Sequence, residues 1–122
     1  MKGMARILYI QTSGTDTPER LYAPFVLAMT ARATDMDADI YFMIKGVTVV
    51  KKGAAEGIQV GNFPKLSEMR DQAIAAGAKI YICEQSTQLL GMTRGDFIEE
   101  GQVVGALTLN DLAVDADAVI TF

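Results

Sequence analysis

Residues 79–83, KIYIC, run directly into residues 84–90, EQSTQLL, and this stretch predicts a buried strand followed at once by a helix. A short continuous apolar run is typical of a strand that is covered on both faces of a parallel sheet. Ahead of it, Pro64 opens an amphipathic helical pattern that continues to Ala76, and Gly77 is a typical helix end. The centre of the chain is therefore predicted to be a helix, a strand and a second helix in direct succession.

The same alternation extends outward to both ends of the chain. Helical segments alternate with further strands, which are predicted at residues 7–10, 39–44, 102–104 and 118–121. Thr17 and Pro18 are typical of a helix start, but Pro24 would remove a hydrogen bond deeper inside a helix. Either the first turn is separate, or the main helix begins near Pro24.

Alternating strands and helices predict a single α/β domain over residues 1–122, with a mainly parallel five-stranded sheet and helices on both faces. Five parallel strands most often take the flavodoxin-like order 2-1-3-4-5. In that order the ligand crevice lies at the carboxyl ends of strands 1 and 3. The loop from Thr12 to Thr17 follows strand 1 and Cys83 follows strand 3, so we expect the two to be neighbours in space.

The composition excludes several classes of protein. Half of the 122 residues are hydrophobic and 21% are charged, which is typical of a globular domain rather than a disordered chain. The net charge of −4 argues against nucleic acid as a partner, because phosphate binding requires a basic surface. The chain has no histidine and one cysteine, so it lacks the usual general base, the commonest transition-metal ligand and an internal disulfide. We expect no cofactor and no metal site.

The amino-terminal residues lead straight into the first predicted strand. They contain neither the long apolar stretch nor the small-residue cleavage site of a signal peptide. No apolar run approaches the length of a membrane-spanning helix. We therefore expect a cytoplasmic protein with no membrane partner.

Cys83 is the candidate reactive residue. A thiol reacts as its thiolate, and a position just before a helix favours the thiolate through the first backbone N–H groups. Glu84, Gln85 and Ser86 form that predicted first turn and are expected to line the site, and Lys45, at the end of the second strand, could add positive charge. Glu84 is itself a negative neighbour that works against the thiolate. Because free cysteines are usually buried and inert, a purely structural Cys83 is the alternative.

A second candidate site is the loop that contains Thr12, Ser13 and Gly14. A small polar loop ahead of a helix could cradle a phosphate, and this one loosely resembles the phosphate loop of flavodoxins. The same residue types are also common in any turn between a strand and a helix. A binding module for a small anion or nucleotide, with Cys83 incidental, is therefore the alternative to thiol chemistry.

Several short motifs, in their order and spacing, resemble the DsrE/DsrF-like family. This family includes the YchN-like proteins and the subunits of the Tus and Dsr sulfur-relay complexes. The matching motifs are spread over nearly the whole chain, at residues 12–14 (TSG), 16–20 (DTPER), 41–42 (YF), 46–47 (GV), 51–53 (KKG), 80–83 (IYIC) and 119–122 (VITF).

The resemblance implies a small flavodoxin-like α/β domain that assembles with copies of itself as trimers or hexamers. It also implies that Cys83 accepts sulfane sulfur as a persulfide and passes it to a partner, so that sulfur donor and acceptor proteins are expected as partners. The chain would then be a sulfur carrier or sulfurtransferase-like protein. A thiol peroxidase is a weaker hypothesis, because it would require a stronger cationic activator beside the thiol.

Overall fold

The apolar runs of the sequence form five parallel strands in the computed structural model, which describes residues 4–122. Each strand is short and is rich in Ile, Val, Tyr and Phe, residues whose side chains fit a pleated surface. The strands are β1 (Arg6–Gln11), β2 (Asp37–Phe42), β3 (Lys79–Cys83), β4 (Gly101–Val104) and β5 (Ala118–Thr121).

The connections between strands carry the helices α1 (Tyr22–Ala33), α2 (Leu66–Ala75), α3 (Glu84–Leu89) and α4 (Ala106–Asp115). Ahead of α1, the residues Pro18–Arg20 form a separate 3₁₀ turn. Pro24 lies in the first turn of α1, where a backbone N–H would have no partner within the helix. A longer 3₁₀ segment, Ile44–Val50, follows β2 and borders the site described below.

The fold class is confirmed as a flavodoxin-like α/β domain, but the predicted strand order 2-1-3-4-5 is wrong. The sheet has the order β4-β3-β2-β1-β5. The chain steps in one direction from β1 to β4 and then crosses back to place β5 beside β1. Because β2 lies between β1 and β3, these two strands form no common crevice, and the order reverses between β1 and β5 instead.

The helix α1 packs on one face of the sheet, and Cys83 lies on the other. Tyr9 donates a hydrogen bond to the Leu27 carbonyl (3.3 Å), and the ring of Phe42 packs on that of Phe25 at 5.9 Å, so these strand residues face α1. Side chains alternate along a strand, and the neighbouring residue Tyr41 therefore faces away from α1. Tyr41 pairs with Tyr81 in the parallel register, which places Cys83 on the same face as Tyr41.

The strand β5 forms one edge of the sheet and is exposed along its whole length. Val119 is 45% exposed, and β5 contains no charged residue. The neighbouring helix α4 also exposes large apolar side chains, since Leu107 is 74% and Val114 84% exposed. Among residues 4–122, no helix is both long enough and apolar enough to span a membrane.

Gly46 tests the packing between β1 and the segment that follows β2. A methyl group at position 46 would collide with the backbone carbonyl of Gln11, whereas a methyl group at Gly57 would meet nothing within 4 Å. We expect Gly46→Ala to lower the free energy of unfolding by about 1–3 kcal/mol and Gly57→Ala to leave it within about 0.5 kcal/mol. Urea unfolding of both variants measures this, and equal stabilities would contradict the packing.

Candidate functional site

Cys83 lies at the junction of a strand and a helix. It is the last residue of β3 and the N-cap of α3, as the sequence pattern predicts. Its thiol is free, and the residue is only 8% exposed. The cysteine is therefore held within the carboxyl edge of the sheet rather than displayed on a loop.

Hydrogen-bond donors surround the sulfur of Cys83. The backbone N–H of Ser86 donates to Sγ at 3.4 Å. The Ser86 hydroxyl, the Gln85 backbone N–H and the Tyr41 hydroxyl also lie close enough to lower the pKa of the thiol, although the Tyr41 hydroxyl completes no hydrogen bond of regular geometry. We refer to these groups of Tyr41, Gln85 and Ser86 as the sulfur cage.

The sulfur cage changes the acidity of the thiol. Burial by itself raises the pKa of Cys83, because a thiolate is poorly solvated inside the protein. The donors of Ser86, followed by those of Tyr41 and Gln85, outweigh burial and bring the pKa of Cys83 below its ordinary value. A buried thiol in apolar surroundings would show the opposite shift. The arrangement therefore favours a negatively charged sulfur.

Ser86 is held in place by the segment that follows β2. The backbone N–H of Ile44 donates to the Ser86 Oγ at 2.7 Å. Because this bond occupies a lone pair of the oxygen, the hydroxyl proton of Ser86 is free to point at the Cys83 sulfur. Ile44 thus acts on the thiol through Ser86.

The backbone at Ile44 is strained. Ile44 has a φ of +58°, a left-handed conformation that is a genuine outlier for a β-branched residue. Its side chain is 54% exposed, so burial of the side chain does not compensate for the strain. Backbone strain of this kind persists where the surrounding structure requires it, and it clusters at functional sites.

The predicted loop residues are engaged in internal hydrogen bonds. The hydroxyl of Thr12 donates to the Phe122 carbonyl at 2.8 Å, and the Ser13 hydroxyl accepts from Arg20 at 2.8 Å. Gly14 lies against Lys45 and Thr48, so close that a methyl group at position 14 would meet the Lys45 carbonyl at 2.6 Å. The loop therefore packs against residues 44–50, which in turn contact α3 through the hydrogen bond from Ile44 to Ser86.

Lys45 and Glu84 lie at the surface. Lys45 forms an ion pair with Asp16 at 3.1 Å, and both side chains are more than half exposed. Glu84 is exposed in the first turn of α3, beside the exposed Gln85. Neither Lys45 nor Glu84 is among the groups that shift the pKa of Cys83.

Sequence reasoning missed Tyr41 and Ile44 as site residues. The sequence pattern indicates only that both residues belong to the second predicted strand, residues 39–44. Only the pairing of β2 with β3 shows that Tyr41 shares a face with Cys83. Within residues 4–122, no cluster of acidic and cysteine side chains is suited to hold a metal ion.

A groove of about 470 Å³ lies beside the loop that follows β1. It is lined by polar and cationic side chains together with small residues, namely Thr15, Thr48, Lys51, Lys52, Gly53, Ala54, Gly57 and Ile58. Cys83 does not line this groove. The groove and the sulfur cage therefore share no residue.

Comparison with protein families gives a match over residues 5–122 to the DsrE/DsrF-like family. An uncharacterized protein of Methanocaldococcus jannaschii, MJ0760, is 30% identical over 102 residues, which are 84% of this chain but only 37% of that protein. A second uncharacterized protein of that organism, MJ0989, is 27% identical over 85% of this chain and 88% of its own length. MK0008 of Methanopyrus kandleri, also uncharacterized, is 28% identical over 85% of this chain and 83% of its own length.

Two solved structures share the fold. The ychN protein from E. coli superimposes with a TM-score of 0.80 and 21% identity, over 98% of this chain and all of that one. MTH1491 from Methanobacterium thermoautotrophicum, a protein of unknown function, gives a TM-score of 0.69 and 16% identity, over 98% of this chain and 99% of that one. At these identities the likeness establishes the fold.

Ser86 provides a test of the sulfur cage. We expect Ser86→Ala to remove a donor from Sγ and so to raise the pKa of Cys83, which slows alkylation by iodoacetamide at neutral pH about three- to tenfold. Thr87→Val is the matched control, because the Thr87 hydroxyl donates to the Cys83 carbonyl and not to the sulfur. The pH dependence of alkylation measures both, and an unchanged profile in Ser86→Ala would contradict this description.

Proposed function

The chain belongs to the DsrE/DsrF-like family, and we propose that it carries sulfane sulfur as a persulfide on Cys83 and delivers it to a partner protein. The supporting observation is the sulfur cage. The pKa of Cys83 is lowered although the residue is buried, because donors surround the sulfur. A cysteine that only fills space in the core needs no such donors.

On the side of this protein, the transfer requires only the thiolate of Cys83. The Cys83 thiolate attacks the outer sulfur of a donor persulfide, R–S–SH, and a bond forms between Sγ and that sulfur. The S–S bond of the donor breaks, and the donor leaves as a thiolate with the electron pair. The proton of the transferred sulfur passes to the departing thiolate or to water, so sulfur moves without an external oxidant or reductant.

Delivery is the same exchange in the opposite sense. A thiolate of the acceptor attacks the outer sulfur of the Cys83 persulfide, and Sγ leaves as a thiolate. In both steps Sγ carries negative charge at one stage. The donors of the sulfur cage suit this need, since they stabilise the anion without removing a proton.

We expect purified protein that is incubated with a small persulfide donor to gain the mass of one sulfur atom. Intact-protein mass spectrometry measures the gain, which a thiol reductant should reverse. Cys83→Ser is the control and should gain nothing, because no other cysteine exists in the chain. A reduced, alkylatable Cys83 that acquires no sulfur from several donors would contradict the proposal.

The groove beside Lys51 and Lys52 supports a second function, the binding of a small anion or nucleotide. Its cationic and hydroxyl-bearing lining is suited to phosphate, and Cys83 does not line it. A ligand that binds the folded protein raises its melting temperature. We expect a rise with nucleotides or phosphate, retained in Cys83→Ser, if this function holds; unchanged melting temperatures would contradict it.

We also propose that the protein assembles with copies of itself through β5 and α4. An exposed edge strand without charged residues is a template for pairing, and natural monomers usually protect such edges. The large exposed side chains of Leu107 and Val114 extend the apolar surface on α4.

A free thiol further suits a reducing compartment such as the cytoplasm.

A lysine at position 114 should disrupt this assembly. We expect wild-type protein to elute as an oligomer in light-scattering chromatography and Val114→Lys to shift toward the monomer. Leu89→Lys is the matched control, because Leu89 and Val114 are both 84% exposed but Leu89 lies on α3. A monomeric wild type, or an equal shift in the control, would contradict an interface at β5 and α4.

A further inference from the structure

The Tyr41 hydroxyl is a buried donor without a regular partner. Tyr41 is completely shielded from solvent at the centre of the sheet. Its hydroxyl completes no hydrogen bond of regular geometry within residues 4–122. Buried tyrosine hydroxyls normally have a partner, since an unpaired one loses its hydration and gains nothing in return. The position of this hydroxyl therefore requires an explanation.

The sulfur of Cys83 is the group that this hydroxyl approaches. Tyr41 is the register partner of Tyr81, so Cys83, two residues further along β3, lies on the same face of the sheet. The two side chains interact: the hydroxyl lowers the pKa of the Cys83 thiol, while burial and then Cys83 raise the pKa of Tyr41. In apo sites such hydrogen bonds are often loose and tighten only when charge develops.

We propose that Tyr41 is a further catalytic residue, whose hydroxyl donates a hydrogen bond to Sγ of Cys83 whenever Sγ is negatively charged. This inference rests on the proposed sulfur-carrier function. The hydroxyl stays protonated throughout, because the pKa of Tyr41 lies above its ordinary value. It therefore moves no proton and acts only by stabilising charge on Sγ.

The two steps of sulfur transfer depend on this bond to different degrees. During loading, the bond enlarges the thiolate fraction but makes each thiolate a weaker nucleophile, so its two effects oppose one another. During delivery, Sγ is the leaving group, and a hydrogen bond to it lowers the barrier without an opposing effect. Removal of the hydroxyl should consequently slow delivery more than loading.

Tyr41→Phe removes the hydroxyl and keeps the ring. We expect alkylation of Cys83 below its pKa to slow about tenfold, with the pH profile displaced to higher pH. With a small thiol as acceptor, delivery from the persulfide should slow about tenfold, whereas loading at a pH well above the thiol pKa should not slow, because Sγ is then fully ionised in both proteins and loss of the donor only makes the thiolate a better nucleophile. Iodoacetamide kinetics and single-turnover mass spectrometry measure these quantities.

Tyr81→Phe is the matched control. Tyr81 lies beside Tyr41 on the same face, and its pKa is raised by burial and Asp39 rather than by Cys83. We expect Tyr81→Phe to leave the alkylation profile and both transfer rates unchanged. Melting temperatures of the two variants detect any structural effect, and Tyr41→Phe should melt no lower than the wild type because it loses an unpaired buried hydroxyl.

The outcomes separate the two proposals. An unchanged alkylation profile in Tyr41→Phe would overturn the role of Tyr41, whether or not the wild type carries sulfur. A wild type that takes up no sulfur would overturn the sulfur-carrier function, and the catalytic role with it, even if the alkylation profile shifts. A shifted profile together with selectively slowed delivery supports the inference.

Discussion

The hydrogen bond from the Ile44 amide to the Ser86 hydroxyl connects the two parts of the structure on which the site depends. On one side, residues 44–50 pack against the loop after β1, where the Thr15 N–H donates to the Thr48 hydroxyl at 3.2 Å. On the other side, Ser86 belongs to the first turn of α3 and contacts the sulfur of Cys83. Residues 44–50 therefore link the loop after β1 to the serine that contacts the thiol.

The chemistry of the site follows from the absence of histidine in the chain. Without an imidazole, the chain lacks the side chain whose ordinary pKa best suits it to take up a proton near neutral pH. The structure offers donors instead, and donors stabilise a sulfur that is already charged. Such an environment fits sulfur exchange, in which one thiolate replaces another and no base is needed. It fits hydrolytic or acyl-transfer chemistry poorly, because those reactions use a base beside the nucleophile.

The sequence predicts the parts of the fold that depend on local pattern. Apolar runs identify the strands and place Cys83 at the end of β3, and of the two alternatives left open for the first helix the structure shows the separate turn. The order of the strands cannot be predicted in this way. An apolar run indicates that a segment is a strand, but it does not indicate which strand lies beside it. The placement of β2 between β1 and β3 therefore could not be deduced.

In the site, too, residues close to Cys83 in the sequence can be predicted, whereas residues brought to it by the fold cannot. Ser86 could be anticipated because it lies within one helical turn of Cys83. Tyr41 could not, since its relation to the sulfur arises from strand pairing across 42 residues of chain. The left-handed backbone of Ile44 runs against the preference of a β-branched residue, so no rule of local propensity would indicate it.

The conformation of Ile44 has a consequence for how the protein would respond to selection for thermostability. A glycine at this position would adopt the same φ without strain, and where the relief of strain exceeds the added entropy of the unfolded chain the replacement stabilises the fold. The glycine would also loosen the one residue whose amide orients Ser86 toward the thiol. Selection for thermostability would therefore act on the residue that orients Ser86. A more stable variant with glycine at position 44 would have a higher Cys83 pKa.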